Sequence, residues 1–423
     1  MRHWTLHARS REYTVALALL TAILVLSILL FPERAFQSSL GGLTIWWNIV
    51  FPSLLPFLMV SELMNGFGAT RAIGTLLEPL ARLLFRIPGV GGWAIALGAA
   101  AGMPAGAEAA GRLRRDGLVS REEGERILAV SHVANPFFIL TVIGAGFLHS
   151  AAAGAIIAVV HYGSALATGV LLRLLRRRGR ESAAAGTNAK EIKRALVVRA
   201  LAHMHKARLE DGRSFGKLLG DSVSGAIQTL MMIGGTMIVF SVLLGVLDTL
   251  GLGRLLAAAA ALVLPDSVAP PVAVQGALAA LLEQHIGANR IGELPVSEAA
   301  TAALIGAALA WSGLAVHVQV ITAIRQTDLR YRSFLVSRLT HAGLSVVLTF
   351  AAWDPLAALF DRAVPSFLGF ASGNAAKANG SALSFWAGLA DVPGRMAALG
   401  IALALAAALS VALSVVRRSA TPG

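Results

Sequence analysis

The sequence predicts an all-α polytopic membrane protein with two inverted-topology repeats, re-entrant hairpins, broken helices and about eight crossings. Mean hydropathy is +0.70, with 56% apolar and 14% charged residues, a composition typical of chains that reside in a bilayer. A Gly-x-x-x-x-Gly motif occurs at residues 106–111 and again at residues 287–292. Ser131 and Ser312 follow the two copies at the same spacing, since 287 minus 106 and 312 minus 131 are both 181. These observations indicate an internally duplicated membrane protein.

The charge of the chain is positive and clustered. Lys and Arg number 36 against 23 Asp and Glu, which gives a formal charge of +13. Basic clusters beside apolar spans mark the cytoplasmic ends of membrane helices, so the expected partner is the lipid bilayer and not nucleic acid. The chain has no cysteine, which excludes disulfides and thiolate metal sites, and no cofactor is predicted.

Residues 1–39 are predicted to hold a first membrane span. Arg2, Arg9 and Arg11 precede an apolar run over residues 14–31, which is long for a signal peptide and lacks a small-residue cleavage pattern. An uncleaved span with a cytoplasmic N-terminus is therefore expected.

Two repeats, 40–175 and 218–352, are joined by a basic linker over 176–217. Predicted crossings are 43–63, 128–148 and 152–174 in the first repeat, and 222–250, 299–324 and 334–351 in the second. The segment after the first motif is basic, whereas its counterpart carries Glu293 and Glu298. Opposite charge bias at matching positions predicts that the repeats insert in opposite directions.

Four further segments complete this organisation. The linker is interpreted as a cytoplasmic topology signal, with recruitment of a partner or anionic lipid as the alternative. Residues 71–86 form an amphipathic helix that lies in the membrane interface or packs on another part of the protein. Residues 353–395 are interpreted as an extracytoplasmic loop, and 396–423 as a last span with a short tail.

The first repeat is predicted to break at Gly102, Pro104 and Gly106, because proline removes a backbone donor and glycine destabilises a helix. The matching positions of the second repeat include Gln284 and Gly287. Backbone breaks at membrane depth occur where they line a cavity or are buried in protein. Opposed breaks in inverted repeats are typical of secondary transporters, whose helix N-termini bind anionic substrate atoms.

A second pair of breaks is predicted in the later crossings. Asn135 precedes Pro136 shortly after Ser131, and Ser312 precedes Gly313 in the other repeat, with His317 one turn further on. These polar groups are candidate substrate contacts. The alternative is that the glycines permit close helix packing and that the serines bond to their own helices.

Glu283 is the candidate coupling group, with His285 or Gln284 holding its hydrogen bond. Alternatively, Glu283 pairs with Arg290 and locks the hairpin. His132, His285 and His317 lack a local metal-ligand spacing, so no metal site is predicted. The chain also lacks a phosphate-binding loop, a Gly-x-Ser-x-Gly elbow and a His-Glu-x-x-His helix, and an enzyme is therefore not expected.

Several of these motifs carry a family resemblance. Residues 46–57 (WWNIVFPSLLPF), 85–92 (FRIPGVGG) and 102–107 (GMPAGA), with Asn135-Pro136, resemble the YlbJ-type sporulation integral membrane proteins. The resemblance covers about residues 10 to 350 and implies two nucleoside-recognition, or Gate, domains.

The resemblance implies a multi-pass cell-membrane protein that carries dipicolinate across the outer forespore membrane during spore formation. Helix N-termini at Gly106 and Gly287, with Arg290 nearby, would bind its carboxylates, and Asn135 and Ser312 would donate hydrogen bonds. The alternatives are a nucleoside-type transporter and a non-transporting scaffold that binds a sporulation membrane partner. An oligomer is compatible with either.

Overall fold

A computed structural model of the chain describes residues 11–175, 195–262 and 271–363, and the regular elements in these ranges are helical. The helices are α1 (Arg11–Leu30), α2 (Pro32–Ile45), α3 (Phe51–Gly66), α4 (Ala69–Phe85), α5 (Val90–Ala101), α6 (Met103–Arg115), α7 (Arg121–Ser131), α8 (Ala151–Leu175), α9 (Leu196–Asp211), α10 (Phe215–Thr249), α11 (Leu252–Ala261), α12 (Pro271–Leu282), α13 (Gln284–Gly292), α14 (Glu298–Trp311), α15 (Gly313–Ile324) and α16 (Tyr331–Ala363). There are two π-helical segments. Trp46–Val50 joins α2 to α3, and Phe138–Phe147 lies between α7 and α8.

Five helical stretches of the described chain are long and apolar enough to cross a membrane, which confirms the all-α polytopic class. They are Pro32–Gly66, Ala151–Leu175, Phe215–Thr249, Glu298–Ile324 and Tyr331–Phe360. The pair α4 and α5, bent by 104°, would make a sixth span if it crosses as one unit. Each of the five contains one of the predicted crossings.

The other predicted crossings differ from the five. α1 occupies residues 11–30, but only Thr21–Leu30 stands out in it as a short apolar helix. The crossing predicted at 128–148 is divided, because α7 ends at Ser131 and the π-helical segment begins at Phe138. The last predicted span lies outside the described residues. The described chain therefore contains five of the eight expected crossings, and the α4–α5 pair is not one of those eight.

The predicted loop at 353–395 is wrong at its beginning. α16 continues through Pro355 to Ala363, and the remainder of the loop lies outside the described residues. Proline is tolerated within membrane helices when neighbouring groups satisfy the freed backbone, so Pro355 alone does not end this helix. The basic linker is likewise shorter than predicted at its end, since α10 already begins at Phe215.

The element boundaries of the two halves follow the offset on which the predicted duplication rests. α12 begins and ends 181 residues after α5, and α13 begins 181 residues after α6, since 271 minus 90 and 284 minus 103 are both 181. Matched helices α8 and α16 pack along each other, with the rings of His161 and His341 4.8 Å apart. The two halves therefore place equivalent helix breaks at equivalent positions. Their opposite insertion into the membrane stays a prediction.

Local chemistry explains where the later crossings break. Ser120 and Glu123 form a capping box that starts α7. Its continuation fails before Pro136, because proline restricts the preceding residue to extended backbone. The side chain of Asn135 then accepts the Phe138 N–H at 2.7 Å and restarts the helix. In the second repeat the break is the single residue Ser312, whose φ is +81°.

The polar face of α4 is covered by α9, a helix of the basic linker. Thr75 Oγ1 lies 2.8 Å from His203 Nδ1, and Glu78 pairs with both Arg82 and Arg199 at 2.6 Å. The polar face of α4 therefore packs on another part of the protein, as the alternative interpretation of this amphipathic helix expects.

Candidate functional site

A cavity of about 450 Å³ lies where the helix breaks of both repeats converge. Its lining includes Ala101, Gly102, Met103 and Ala105 from the α5–α6 break, Ala134 and Asn135 from the break after α7, Glu283, Gln284 and His285 from the α12–α13 break, and Ala315, Val316 and Gln319 from α15. Residues of α3 and α10, including Ser61, Thr229 and Thr236, complete its wall. Of the predicted contacts, the structure therefore brings five together here: Gly102, Asn135, Glu283, Gln284 and His285.

Gly102 gives the first break its shape. Its φ of +92° and ψ of −170° belong to a backbone region that is essentially restricted to glycine. No side chain caps the following helix, α6, whose first residues Met103 and Ala105 line the cavity. The N-terminus of α6 thus lies at the cavity with its positive dipole end. Pro104 lies at the start of this helix, where its missing N–H costs no hydrogen bond.

Glu283 caps the second hairpin and lines the same cavity. Its carboxylate accepts the Ile286 N–H at 2.8 Å and contacts His285 Nδ1 at 2.6 Å, and its side chain is buried. Arg290 instead donates to Asp248 at 3.1 Å, so the alternative pairing of Glu283 with Arg290 is wrong. The reason is geometric, since a residue that precedes a helix directs its carboxylate to the first turn, whereas Arg290 lies at the helix end.

Asn135 combines two functions at the edge of the cavity. Its carbonyl oxygen holds the Phe138 N–H, while its amide nitrogen lies beside Gly102. A Cβ at Gly102 would lie 3.3 Å from that nitrogen. Because the acceptor half is engaged, the donor half of the amide is the part that a cavity ligand can use.

Four predicted contacts with polar side chains, and the motif glycines Gly106 and Gly287, lie outside the cavity lining. Ser131 and Ser312 are fully buried, and Ser312 Oγ lies 3.1 Å from Nε2 of His132, which links the second breaks of the two repeats. His317 contacts the Trp311 carbonyl and the Tyr331 hydroxyl, each at 2.8 Å. Arg290 is engaged with Asp248. These contacts join helix ends to their neighbours.

The motif glycines serve close packing. Gly106 and Gly98 both lie against the Ser131 carbonyl, and a Cβ at either position would overlap it. Gly287 likewise lies against the backbone of Ala280. The closing glycine of each motif approaches the opposite repeat, Gly111 at the Ala323 carbonyl and Gly292 at the Phe147 carbonyl. The packing alternative therefore describes the motif glycines in this structure.

Gly106→Ala is expected to lower the thermal unfolding midpoint, because overpacking against backbone typically costs about 1–3 kcal/mol. Gly163→Ala is the matched control, since no heavy atom lies near a Cβ at that helical position. The control should be neutral or stabilising, by roughly 0.5–1 kcal/mol at most. Thermal unfolding of both purified variants measures the difference, and equal midpoints would contradict the packing assignment.

Arg338 is the central residue that the sequence reasoning missed. Its guanidinium, fully buried on α16, donates to the carbonyls of His132 at 2.7 Å and Ala129 at 2.5 Å, and lies 3.5 Å from that of Ala310. A positive charge at helix C-termini is favourable both to the helix dipole and to the unpaired carbonyls. Arg338 thus holds the ends of α7 and α14, one from each repeat. A lone arginine within an apolar span was the available signal.

The cavity has an acidic lining. Glu62, Glu108, Asp221 and Glu283 contribute carboxylates, and no Lys or Arg of the described residues lines it. Arg213 partly offsets this charge from the end of the linker, at 3.3 Å from Glu62 and 3.2 Å from Asp221.

Arg213 also anchors the end of α9. It pairs with Asp211 at 2.6 Å, and this side-chain hydrogen bond holds the pKa of Asp211 below its usual range. The linker is therefore tied to two carboxylates of the cavity wall. Within the described chain, no group of three or more His, Asp or Glu side chains is arranged to hold a metal ion.

Comparison with known proteins places this architecture in a family. The chain is 36% identical over 352 residues to the sporulation integral membrane protein YlbJ of Bacillus subtilis (strain 168), covering 82% of this chain and 84% of that protein. The chain belongs to the YlbJ family of sporulation integral membrane proteins. No protein-family profile and no solved structure matches the sequence. The structure therefore shows the side chains of a YlbJ family member. Its features include the converging helix breaks, the buried Arg338 and the acidic cavity.

Proposed function

We propose that this chain is a membrane carrier for a small organic anion in spore formation, with dipicolinate as its substrate at the outer forespore membrane. One observation supports transport above all, namely a cavity enclosed by the helix breaks of both repeats within a polytopic membrane protein. Secondary transporters build their sites at such breaks, where backbone polar groups are free to meet a substrate. The family relationship supports the role in sporulation.

Three groups at the cavity suit carboxylate oxygens. The uncapped N-terminus of α6 and the amide nitrogen of Asn135 are hydrogen-bond donors from different elements, and the imidazole of His285 adds a third donor when both of its ring nitrogens carry a proton, since Nδ1 already contacts Glu283. A planar dicarboxylate could engage donors from both repeats at once. The carboxylates of the wall oppose a free dianion, so the substrate would enter together with protons or other cations.

Glu283 is the group proposed to carry the coupling proton. It is buried, lines the cavity and shares a hydrogen bond with His285. Ionisable residues within membrane proteins commonly mark proton relays. Alternating access between the two repeats would expose this pair to either side of the membrane in turn. The mechanism consists of binding and release, without covalent chemistry.

A nucleoside is the second candidate substrate, and the charge of the cavity favours it. The described lining contains no Lys or Arg but offers the polar side chains of Asn135, Gln284, Gln319 and Thr229. Such a set suits the hydroxyls and ring nitrogens of a neutral molecule.

Uptake into liposomes containing the purified protein tests the proposal. Labelled dipicolinate and a labelled nucleoside are compared side by side, with protein-free liposomes as background. Saturable dipicolinate uptake is the expected result. Saturable uptake of the nucleoside alone would transfer the assignment to the second candidate, and uptake of neither by well-inserted protein would favour a scaffold that binds a sporulation membrane partner.

Asn135→Asp should reduce dipicolinate uptake about tenfold or more, because it replaces a hydrogen-bond donor to a charged group with a negative charge. The substitution retains an acceptor for the Phe138 N–H, so the break itself is preserved. Asn65→Asp is the matched control, since Asn65 also accepts one hydrogen bond, from Thr70, and does not line the cavity. Equal uptake by both variants would remove Asn135 from the site.

A further inference from the structure

A second cleft, of about 360 Å³, lies between α4, the beginning of α5 and the linker helix α9. Its lining is Arg71, Gly74, Thr75, Glu78, Arg82, Pro88, Gly89, Val90, Trp93, Arg199, His203, Lys206, Ala207 and Glu210. None of these residues lines the cavity of the candidate site. The cleft is therefore a separate feature, and what it binds is independent of the proposed carrier function.

The cleft carries an excess of positive charge. Its four Arg and Lys side chains face two carboxylates, which leaves a formal charge of +2 with His203 neutral. Glu78 is shared by Arg82 and Arg199, and Glu210 lies 3.8 Å from Lys206. Among the described residues, Arg71 has no carboxylate within ion-pair distance.

Residues that line this cleft also carry donor groups without a hydrogen-bond partner. Arg71 stacks on the ring of Trp93 at 3.9 Å, and the indole N–H of Trp93 has no acceptor although the side chain is only 7% exposed. The Nε groups of Arg82 and Arg199 are also buried without a partner. These N–H groups are buried below the surface of the cleft, so it is the cationic lining, with Arg71 outside any ion pair among the described residues, that indicates an acceptor-rich ligand. An oxyanion such as a phosphate is the ligand of that chemistry.

The other face of α9 indicates the source of that phosphate. Val197, Val198, Leu201 and Leu209 are at least half exposed there, while Arg199, His203 and Lys206 face α4 on the opposite side. His205 and Arg208 lie on the same face, and exposed apolar side chains interleaved with basic ones suit the membrane interface, where anionic headgroups attract Lys and Arg. The close approach of Gly68 to the Met204 carbonyl holds α9 against α4.

We propose that this cleft binds the phosphate of one anionic phospholipid headgroup. The apolar face of α9 lies against the acyl boundary beside it. Arg71 and Lys206 supply the charge that is not neutralised by buried carboxylates, and Trp93 supplies the ring on which the Arg71 guanidinium stacks. The bound lipid fastens the linker helix to the membrane domain.

Lipid binding by the full-length protein tests this assignment. The protein is reconstituted into phosphatidylcholine nanodiscs with increasing phosphatidylglycerol, and bound phosphatidylglycerol is quantified by native mass spectrometry after release. The double variant Arg71→Gln/Lys206→Gln should bind it more than tenfold more weakly, at about fivefold for each charge removed. Arg254→Gln/Lys217→Gln is the matched control, because Arg254 follows Gly251 as Arg71 follows Gly68, each three residues later, and neither Arg254 nor Lys217 lines the cleft.

The single variant Lys206→Gln should fold normally, since Lys206 is exposed and its loss disturbs no buried contact. It should bind phosphatidylglycerol about fivefold more weakly. Weaker binding by this variant is therefore not caused by misfolding. Equal affinity in all variants would overturn the site. Competition of inorganic phosphate or dipicolinate for the cleft, with no dependence on phosphatidylglycerol, would overturn the lipid assignment and identify a site for soluble anions.

Discussion

Arg338→Met is expected to destabilise the protein more than any other single substitution described above. The variant leaves the carbonyls of Ala129 and His132 without their donor, at fully buried helix ends. Each unsatisfied buried group costs roughly 1–3 kcal/mol, so the total is about 2–6 kcal/mol. The variant no longer carries the desolvation penalty of a buried charge, and this gain offsets part of the cost. Such a loss is a large fraction of the stability of a typical folded protein.

The thermal unfolding midpoint and the fraction of protein that survives extraction into mild detergent measure this effect. Arg332→Met is the matched control, because Arg332 lies on the same helix and is exposed. Arg338→Lys should recover little stability, since one ammonium cannot reproduce the planar fork that reaches two carbonyls. A midpoint for Arg338→Met equal to that of the control would show that other donors satisfy these helix ends.

Glu283→Gln is expected to abolish the dependence of uptake on a pH gradient and to reduce uptake about tenfold, the usual effect of losing a hydrogen bond to a charged group. The variant removes the only ionisable oxygen pair at the α12–α13 break, yet its amide oxygen can still accept the Ile286 N–H. The hairpin should therefore fold, which separates a transport defect from a structural one. This prediction rests on the proposed carrier function.

Uptake is measured in liposomes with an imposed pH gradient of either sign. Glu293→Gln is the control, because Glu293 lies at the other end of α13, is exposed and does not line the cavity. A variant that retains full, gradient-dependent uptake would exclude Glu283 as the coupling group. Loss of uptake in both variants would instead indicate a general effect of charge on the hairpin.

The positions of the breaks could be predicted from the sequence because they depend on local backbone chemistry. Gly102 and the Asn135-Pro136 pair disrupt helices wherever they occur, and a constant offset of 181 residues joined the two halves. For the same reason, the sequence predicts that His285 or Gln284 holds the hydrogen bond of Glu283, and in the structure His285 contacts it.

Contacts between distant residues could not be predicted in this way. Whether Gly106 serves a ligand or a carbonyl depends on Ser131, which is brought to it by the packing of α7 on the hairpin. The role of Arg338 depends on residues more than 200 positions away. Tertiary packing also decides which predicted contacts line the cavity. Five of them do, and others lie at helix junctions. Spacing along the chain carries no information on these contacts.

The single guanidinium between the repeats has a consequence for the ancestry of the chain. Two identical half-chains, inserted in opposite directions, would each place the same residue beside their common symmetry axis. Two arginines at that point would compete for the same carbonyls and repel each other strongly in a medium of low dielectric constant. In this chain the position that matches Arg338 is Ile157, which is almost fully buried. If the chain arose by fusion of two such halves, the fusion permits what a homodimer could not have, a charge supplied by one half alone.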